Sequence, residues 1–161
     1  MKKNKQTILV TGGAGFVGCH LCKALVDEGN AVIAVDNLSN GRISNIEELH
    51  ISENFKFIEA DVLDADQMRA IIQEHNFDMV YHLASNVYVR KGEDGCDTDV
   101  QQTLNTTLSI LKLMAEFNIK KLFFASSSTI YGNLNEPISN DNCTIRPISY
   151  YGASKLACAP T

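Results

Sequence analysis

Five short runs of mostly apolar, β-prone residues recur along the chain, separated by longer segments in which apolar residues return at helical intervals. The runs are TILVT (7–11), AVIAVD (31–36), FKFIEAD (55–61), MVYHLAS (79–85) and KLFFASSS (121–128). Helical spacing falls at 15–28, 65–75 and about 98–117, with a loop and SNIEELH (44–50) between the second and third runs. Strands that alternate with helices return to a sheet in the same direction, so the sheet is expected to be parallel. The runs are nearly continuous in apolar residues, as strands covered on both faces are. The expected fold class is therefore α/β, a doubly wound parallel sheet. Local signals agree: Asp64 and Gln67 have capping-box spacing ahead of MRAII, and Gly29 stands where a left-handed residue would stop the first helix.

A chain of 161 residues suffices for one domain with a core and is too short for two full ones. Its formal charge of -5 argues against nucleic acid or an anionic membrane as partner. No apolar stretch approaches the roughly 20 residues of a membrane span, and MKKNKQTILVTGG lacks the apolar core of a secretion signal. A cytoplasmic protein is expected. Its five cysteines are an odd number, so free thiols are expected rather than a disulfide framework. Cys19-x-x-Cys22 has the spacing of a metal or redox pair, but it has no second pair and lies on an amphipathic helix; it reads as helix packing, as does His20. No metal site is expected. The longest irregular segment, 132–149, is of a length more often functional than idle.

The sharpest local pattern is TGGAGFVG (11–18), which places Gly12, Gly15 and Gly18 between the first strand and the first helix. Such a turn either cradles a phosphate group on the helix N-terminus or is only a tight connection. The second strand favours the cradle, because it ends in Asp36, about 20 residues on, where a carboxylate can accept both hydroxyls of an adenosine ribose. The same charge repels a 2′-phosphate and so favours NAD over NADP, although Arg42 is near enough to blur that preference. Asp61-Val62 and HLAS (82–85) end the third and fourth strands on the same side of a parallel sheet.

A second group lies downstream. The fifth strand runs into ASSSTIYG, and YYGASK places Tyr151 and Lys155 four apart, on one face of a helix. A phenol beside an ammonium and a cationic nicotinamide ring is favoured as phenolate, and could take a proton from a hydroxyl while hydride leaves the same carbon. Ser127 could hold that hydroxyl. Tyr-x-x-x-Lys alone also arises by chance on many helices; the glycines, Asp36 and the serines upstream give it weight.

Together ILVTGGAGFVG, VDNLSNGR, DVLD, HLAS, KKLFFASSSTIYG and PISYYGASK resemble the N-terminal half of extended short-chain dehydrogenase/reductases, in the NAD-dependent epimerase/dehydratase family acting on nucleotide sugars. The resemblance covers nearly the whole chain and implies a Rossmann-like domain with bound NAD. It implies that Gly12, Gly15, Phe16, Val17 and Gly18 surround the pyrophosphate, and that Asp36, Asn37, Ser39 and Asn40 line the adenosine end. It puts Asp61 and Val62 at the adenine, and Leu83, Ala84 and Ser85 beside the cofactor. Ser127, Tyr151 and Lys155 fall at the catalytic positions, with Tyr151 and Lys155 also at the nicotinamide ribose.

Family 4,6-dehydratases carry an acidic pair after the serine strand, and related decarboxylases keep a glutamate two before the motif tyrosine. Here those places hold Ser128 and Thr129, a pattern similar to the 4-epimerases, in which hydride leaves C4 and returns to the other face. Two departures accompany it: Thr103 stands where the family's V-N-x-x-G-T pattern has asparagine, and SNVYVRKGEDG does not match the loop of UDP-galactose 4-epimerases closely. Family members are about twice as long, so residues 1–161 read as an incomplete NAD-binding domain without the substrate-binding domain. The expectation is a nucleotide-sugar epimerase fragment, homodimeric in a full-length form, and a protein ending at Thr161 is expected to have negligible turnover, since Pro160 would interrupt the helix of Tyr151. The alternatives are a truncated, inactive NAD-binding remnant or another dehydratase or reductase of the family.

Overall fold

The structure is a computed structural model and describes residues 5–87, 96–133, 137 and 144–159. Half of the segment 132–149, most of the loop SNVYVRKGEDG and Pro160 lie outside the described residues. The chain divides into two compact units, Met1–Ala84 with Ser109–Ala125, and Ser85–Leu108 with Ser126–Thr161.

The first unit holds the sheet. Its strands are β1 (Thr7–Thr11), β2 (Ala31–Asp36), β3 (Phe55–Glu59), β4 (Met79–His82) and β5 (Leu122–Phe124), all parallel, in the order β3-β2-β1-β4-β5. All five apolar runs are thus strands; β1 and β2 fill their runs, whereas β3, β4 and β5 end before the last residues of theirs. The order reverses direction at β1, with β2 on one side and β4 on the other, which makes the C-terminal end of β1 a topological switch point.

Side chains alternate across the pleat and feed two cores. On one face Leu9, Ile33, Val35 and Val80 pack with Met68, Ile71 and Ile72 of α2 (Ala65–His75) and with Ile110, Leu113 and Met114. On the other, Ile8, Val10, Val32 and Ala34 pack with Cys19, Cys22 and Leu25 of α1 (Phe16–Asp27) and with Ile46 and Leu49 from the short 3-10 turns of the β2–β3 connection. Helices on both faces explain why the strands read as continuous apolar runs. Cys19 and Cys22 belong to this second core, and burial pushes the Cys22 thiol up to about 12, so it remains protonated and packs as an apolar group.

Helix ends follow the sequence signals in part. Gly29 adopts φ +88° and its amide returns to the Val26 carbonyl, stopping α1. Asp64 caps α2 by accepting from the Gln67 amide at 3.0 Å, but the Gln67 side chain donates to the Glu59 carbonyl instead of completing the box.

The second unit contains α3 (Asp97–Asp99), which leads into a π-helical stretch Val100–Asn105 and then α4 (Thr106–Glu116), whose later residues belong to the first unit. It also contains a 3-10 turn Ser128–Tyr131 and α5 (Tyr150–Ala157). The long helix expected at about 98–117 is therefore regular only from Thr106. The wider π turns place Thr103 inside it, with hydroxyls of Thr106 and Thr107 bonding back to the Thr103 carbonyl at 3.1 and 2.7 Å. No helix among the described residues is long and apolar enough to cross a membrane.

Candidate functional site

The glycine turn is set by the protein's own packing. Gly12 has φ +71°, and a Cβ there would stand 2.8 Å from the Ala84 nitrogen; a Cβ on Gly18 would stand 2.0 Å from the Gly12 carbonyl oxygen. Gly13, which the spacing argument passes over, would bring a Cβ within 2.6 Å of the Ala34 Cβ. The protein's own packing already requires glycine at these positions, because the loop must fit between β1, β2 and α1. Gly15 is different, since its Cβ would meet only the Gly12 oxygen, at 3.2 Å. It is the N-cap of α1, with no side-chain cap and no acidic residue in the first turn. Phe16 and Val17 are 80% and 62% exposed. The first-turn amides and the positive end of the helix dipole thus open to solvent, which suits an anion.

Asp36 ends β2 almost buried. Its Oδ2 accepts from the Ala14 amide at 3.1 Å and its Oδ1 from the Leu38 amide at 2.9 Å, so the glycine turn and the following loop hold the carboxylate in one orientation. Gly41 lies against the same carboxylate, where a Cβ would stand 2.7 Å from Oδ1. Asn45, which sequence reasoning missed, ties this loop to the turn by donating to the Ala14 carbonyl at 2.8 Å. Asn37 donates to Asp61 Oδ2 at 3.0 Å, while the Ser39 amide donates back to Asn37 Oδ1 and Asn40 reaches Ser39 at 3.5 Å. Asn37, Ser39 and Asn40 are exposed. Val62 is different: its side chain lies in the core, and its carbonyl accepts from Ser109 at 2.9 Å.

At the end of β4 a buried hydroxyl organises the backbone. Thr11 Oγ1 lies 2.7 Å from His82 Nδ1 and accepts from the amides of Leu83 and Ala84 at 3.3 Å each, which fixes the chain that crosses Gly12. Neither Thr11 nor His82 stood out in the sequence, because both sit in apolar strand runs.

The second unit gathers Ser85, Ser127, Tyr151 and Lys155. The helix α5 begins after Pro147, and Ser149 caps it by accepting from the Gly152 amide at 3.0 Å. Gly152 lets the helix press on the 3-10 turn, since a Cβ there would come within 2.6 Å of the Thr129 carbonyl oxygen. Ser127 caps that turn; its Oγ accepts from the Thr129 amide at 3.2 Å and from the Thr129 hydroxyl at 2.9 Å. Thr103, buried in the π turn, meets the Ser85 hydroxyl at 3.1 Å.

The electrostatics correct one expectation. Burial raises the Tyr151 pKa above the ordinary tyrosine value, Ser85 and Ser127 pull it down through their hydrogen bonds, and Asp99 adds to the rise; the net direction is upward. Lys155, only 3% exposed, has its pKa lowered by burial, opposed by Cys158, and its Nζ lies 5.8 Å from the centre of the Tyr151 ring. The lysine is thus set over the ring face, and in the chain by itself desolvation outweighs every influence that favours phenolate. Asp99 and Asn86, both buried here, were not singled out from sequence; a carboxylate in a helical stretch ordinarily faces solvent.

A family model described as GDP-mannose 4,6 dehydratase matches residues 9–160. A UDP-glucuronate 4-epimerase from Thermodesulfobacterium geofontis is 36% identical over 152 residues, which cover 91% of this chain and 47% of that protein. The structure of the UDP-Glc/GlcNAc 4-epimerase from Campylobacter jejuni matches with a TM-score of 0.89 at 27% identity, over 95% of this chain and 46% of that one. The UDP-glucose 4-epimerase from Brucella ovis, solved in complex with NAD, matches with a TM-score of 0.85 at 29% identity, over 95% of this chain and 45% of that one. The chain spans about half the length of the curated relatives it matches. With a parallel five-stranded Rossmann-like sheet, a glycine turn and a Tyr-x-x-x-Lys helix in family order, it belongs to the NAD-dependent epimerase/dehydratase family, of which it represents the N-terminal part.

Proposed function

We propose that this chain is the cofactor-holding and proton-transferring part of an NAD-dependent nucleotide-sugar 4-epimerase, with the sugar-nucleotide domain outside residues 1–161. One observation carries the reading: the turn that follows Ser127 presents Ser128 and Thr129, hydroxyls at the two places where the family resemblance puts the carboxylates of an elimination. The family model is named for a dehydratase, whereas the relatives described above are 4-epimerases.

The first unit suits NAD. The uncapped start of α1, with Gly12, Gly15, Phe16, Val17 and Gly18, would take the pyrophosphate, and the oriented Asp36 carboxylate the adenosine ribose. Asn37, Ser39 and Asn40 would line the ribose, and Asp61 with the backbone of Val62 the adenine. Leu83, Ala84 and Ser85 would pass beside the cofactor, and Tyr151 and Lys155 would bind the nicotinamide ribose. When bound, NAD supplies a hydride acceptor and a positive charge that favours phenolate at Tyr151.

The chain's own groups handle the proton. Tyr151 takes it from the C4 hydroxyl as hydride leaves C4, and gives it back when hydride returns to the opposite face, so that only the configuration changes. Ser127 holds that hydroxyl, and the Ser85 and Ser127 hydrogen bonds spread the charge of the phenolate. Homodimers and a cytoplasmic location follow the family reading.

The test uses the native protein purified from its own cells, given NAD with UDP-glucose, UDP-galactose or UDP-glucuronate. Interconversion at C4 supports the proposal. A 4-keto-6-deoxy product, or NAD binding with no turnover, contradicts it; the second result marks an inactive remnant.

A further inference from the structure

Both ends of the loop that follows β2 are fastened to one residue of the glycine turn. At its start the Asp36 carboxylate accepts from the Ala14 amide at 3.1 Å. At its far end the Ala14 carbonyl accepts from the Arg42 amide at 3.1 Å and from Asn45 Nδ2 at 2.8 Å. A carbonyl can only accept, so the NH2 end of the Asn45 side chain must face it, and both lone pairs of the carbonyl are then used. The loop between the fastenings is held in a costly shape: Leu38 has φ +56°, in the left-handed region that bulky side chains rarely adopt. Its amide donates to Asp36 Oδ1 at 2.9 Å, and its side chain packs against the second core. Backbone strain of this kind persists only where the surroundings impose it, and it gathers where ligands are held. The Ala14 carbonyl also shares a peptide plane with the Gly15 N–H, which donates to the Gly12 carbonyl at 3.1 Å at the start of α1. Asn45 therefore grips a peptide plane that belongs to the glycine turn and fastens the loop as well.

We propose that Asn45 is a positioning residue for the adenosine end of the cofactor site: by holding the Ala14 carbonyl it keeps the loop 37–45 in the shape that sets Asn37, Ser39 and Asn40 beside Asp36. The proposal rests on the reading of Asp36 as the acceptor for an adenosine ribose. Asn45 acts on the ligand through Ala14 and the loop. Removing its side chain leaves the Arg42 amide to hold the Ala14 carbonyl against the strain at Leu38. The loop then populates other shapes, and a ligand that needs the held shape must first restore it, which lowers its apparent affinity. Gly41 shows how closely the held loop approaches its target, because a Cβ there would stand 2.7 Å from Asp36 Oδ1. A fastening at Arg42 and Asn45 is therefore placed where a small displacement of the loop alters the surroundings of the carboxylate.

The experiment compares the 161-residue chain with Asn45→Ala and Asn45→Asp, first by residue-resolved amide hydrogen exchange without nucleotide, then by calorimetric titration of the parent and Asn45→Ala with NAD. Asn45 is exposed, so both variants are expected to fold. Asn45→Asp keeps the size of the side chain and removes the donor, setting an oxygen against the Ala14 carbonyl. In both variants the Leu38 and Arg42 amides are expected to exchange about 5-fold faster, the ratio that one net hydrogen bond supports, while amides at the centres of β1 and β2 keep their rates. NAD is expected to bind Asn45→Ala about 5-fold more weakly than the parent. A residue that only stabilises the fold would speed exchange in the strands as well, so a shared acceleration overturns the proposal. Unchanged Leu38 and Arg42 amides overturn it too, as does an unchanged NAD affinity in Asn45→Ala. A parent chain that binds no NAD overturns the cofactor reading instead, and the exchange pattern still decides whether Asn45 fastens the loop. If Asn45→Asp fails to fold by circular dichroism, Asn45→Ala decides alone.

Discussion

Substituting Gly18 by alanine separates the packing role of the glycine turn from any role toward a ligand. The new Cβ would lie 2.0 Å from the Gly12 carbonyl oxygen, 2.8 Å from the Gly13 Cα and 2.9 Å from the Gly12 carbonyl carbon, all backbone atoms. Ordinary Cβ contact begins at 3.4 Å, so α1 or the turn must withdraw by about 1.4 Å (3.4 less 2.0). That movement lifts Cys19, Cys22 and Leu25 away from Ile8, Val10, Val32 and Ala34. Overpacking of this kind costs about 3 kcal/mol, and the helix propensity gained on replacing glycine by alanine returns about 1 kcal/mol. The net loss is about 2 kcal/mol, which at a urea dependence of about 2 kcal/mol per molar moves the unfolding midpoint by about 1 M. Gly15→Ala is the internal control, because its Cβ falls only about 0.2 Å short of ordinary contact (3.4 less 3.2) and the N-cap change costs less than about 1 kcal/mol, or about 0.5 M. Urea unfolding followed by circular dichroism measures both. If Gly18→Ala shifts the midpoint no more than Gly15→Ala does, the account of the turn as self-packed is wrong.

Two further outcomes follow from the sites. Asp36→Asn keeps a partner for one backbone amide but removes the charge between Ala14 and Leu38, and is expected to weaken NAD binding by about 10-fold to 100-fold, in keeping with about 1.5–3 kcal/mol for hydrogen bonds to a charged group; calorimetric titration giving an unchanged affinity refutes the assignment. Because the folded Tyr151 pKa lies above the unfolded value of 10.0, the folded chain keeps a proton that the unfolded chain loses, so Tyr151 contributes stability below pH 10.0 that declines as pH rises from there through the folded pKa. Lys155 acts in the opposite sense, its lowered pKa adding stability as pH rises toward 10.5. Tyr151→Phe should therefore lose less stability than the parent in alkaline urea melts, and an identical pH profile would show that the phenol is not perturbed by folding.

The sheet was readable in the sequence because five apolar runs separated by helical segments leave a parallel, doubly covered sheet as the simple way to bury them. Boundaries were less readable where side chains compete with the backbone: Thr103, Thr106 and Thr107 turn the start of the fourth helical segment into π turns, against a helical pattern that looked continuous. At the first site the spacing identified Gly12, Gly15 and Gly18, but only the coordinates show that Gly13 is as tightly required and that Gly15 alone faces outward. At the second, Ser127, Tyr151 and Lys155 were visible as a motif, whereas Asp99 and Asn86 were not, since burial of a polar side chain leaves no mark on its spacing. The direction of the Tyr151 shift was also beyond the sequence, because it depends on how much desolvation outweighs two serine hydrogen bonds.

The most direct measurement is an isothermal titration of the 161-residue chain with NAD and, separately, NADP, alongside circular dichroism to establish that the chain is folded. The account predicts that NAD binds at one site and that NADP binds at least about 10-fold more weakly, because the buried, oriented Asp36 carboxylate meets its 2′-phosphate. A folded chain that binds neither nucleotide, or binds NADP as well as NAD, contradicts it.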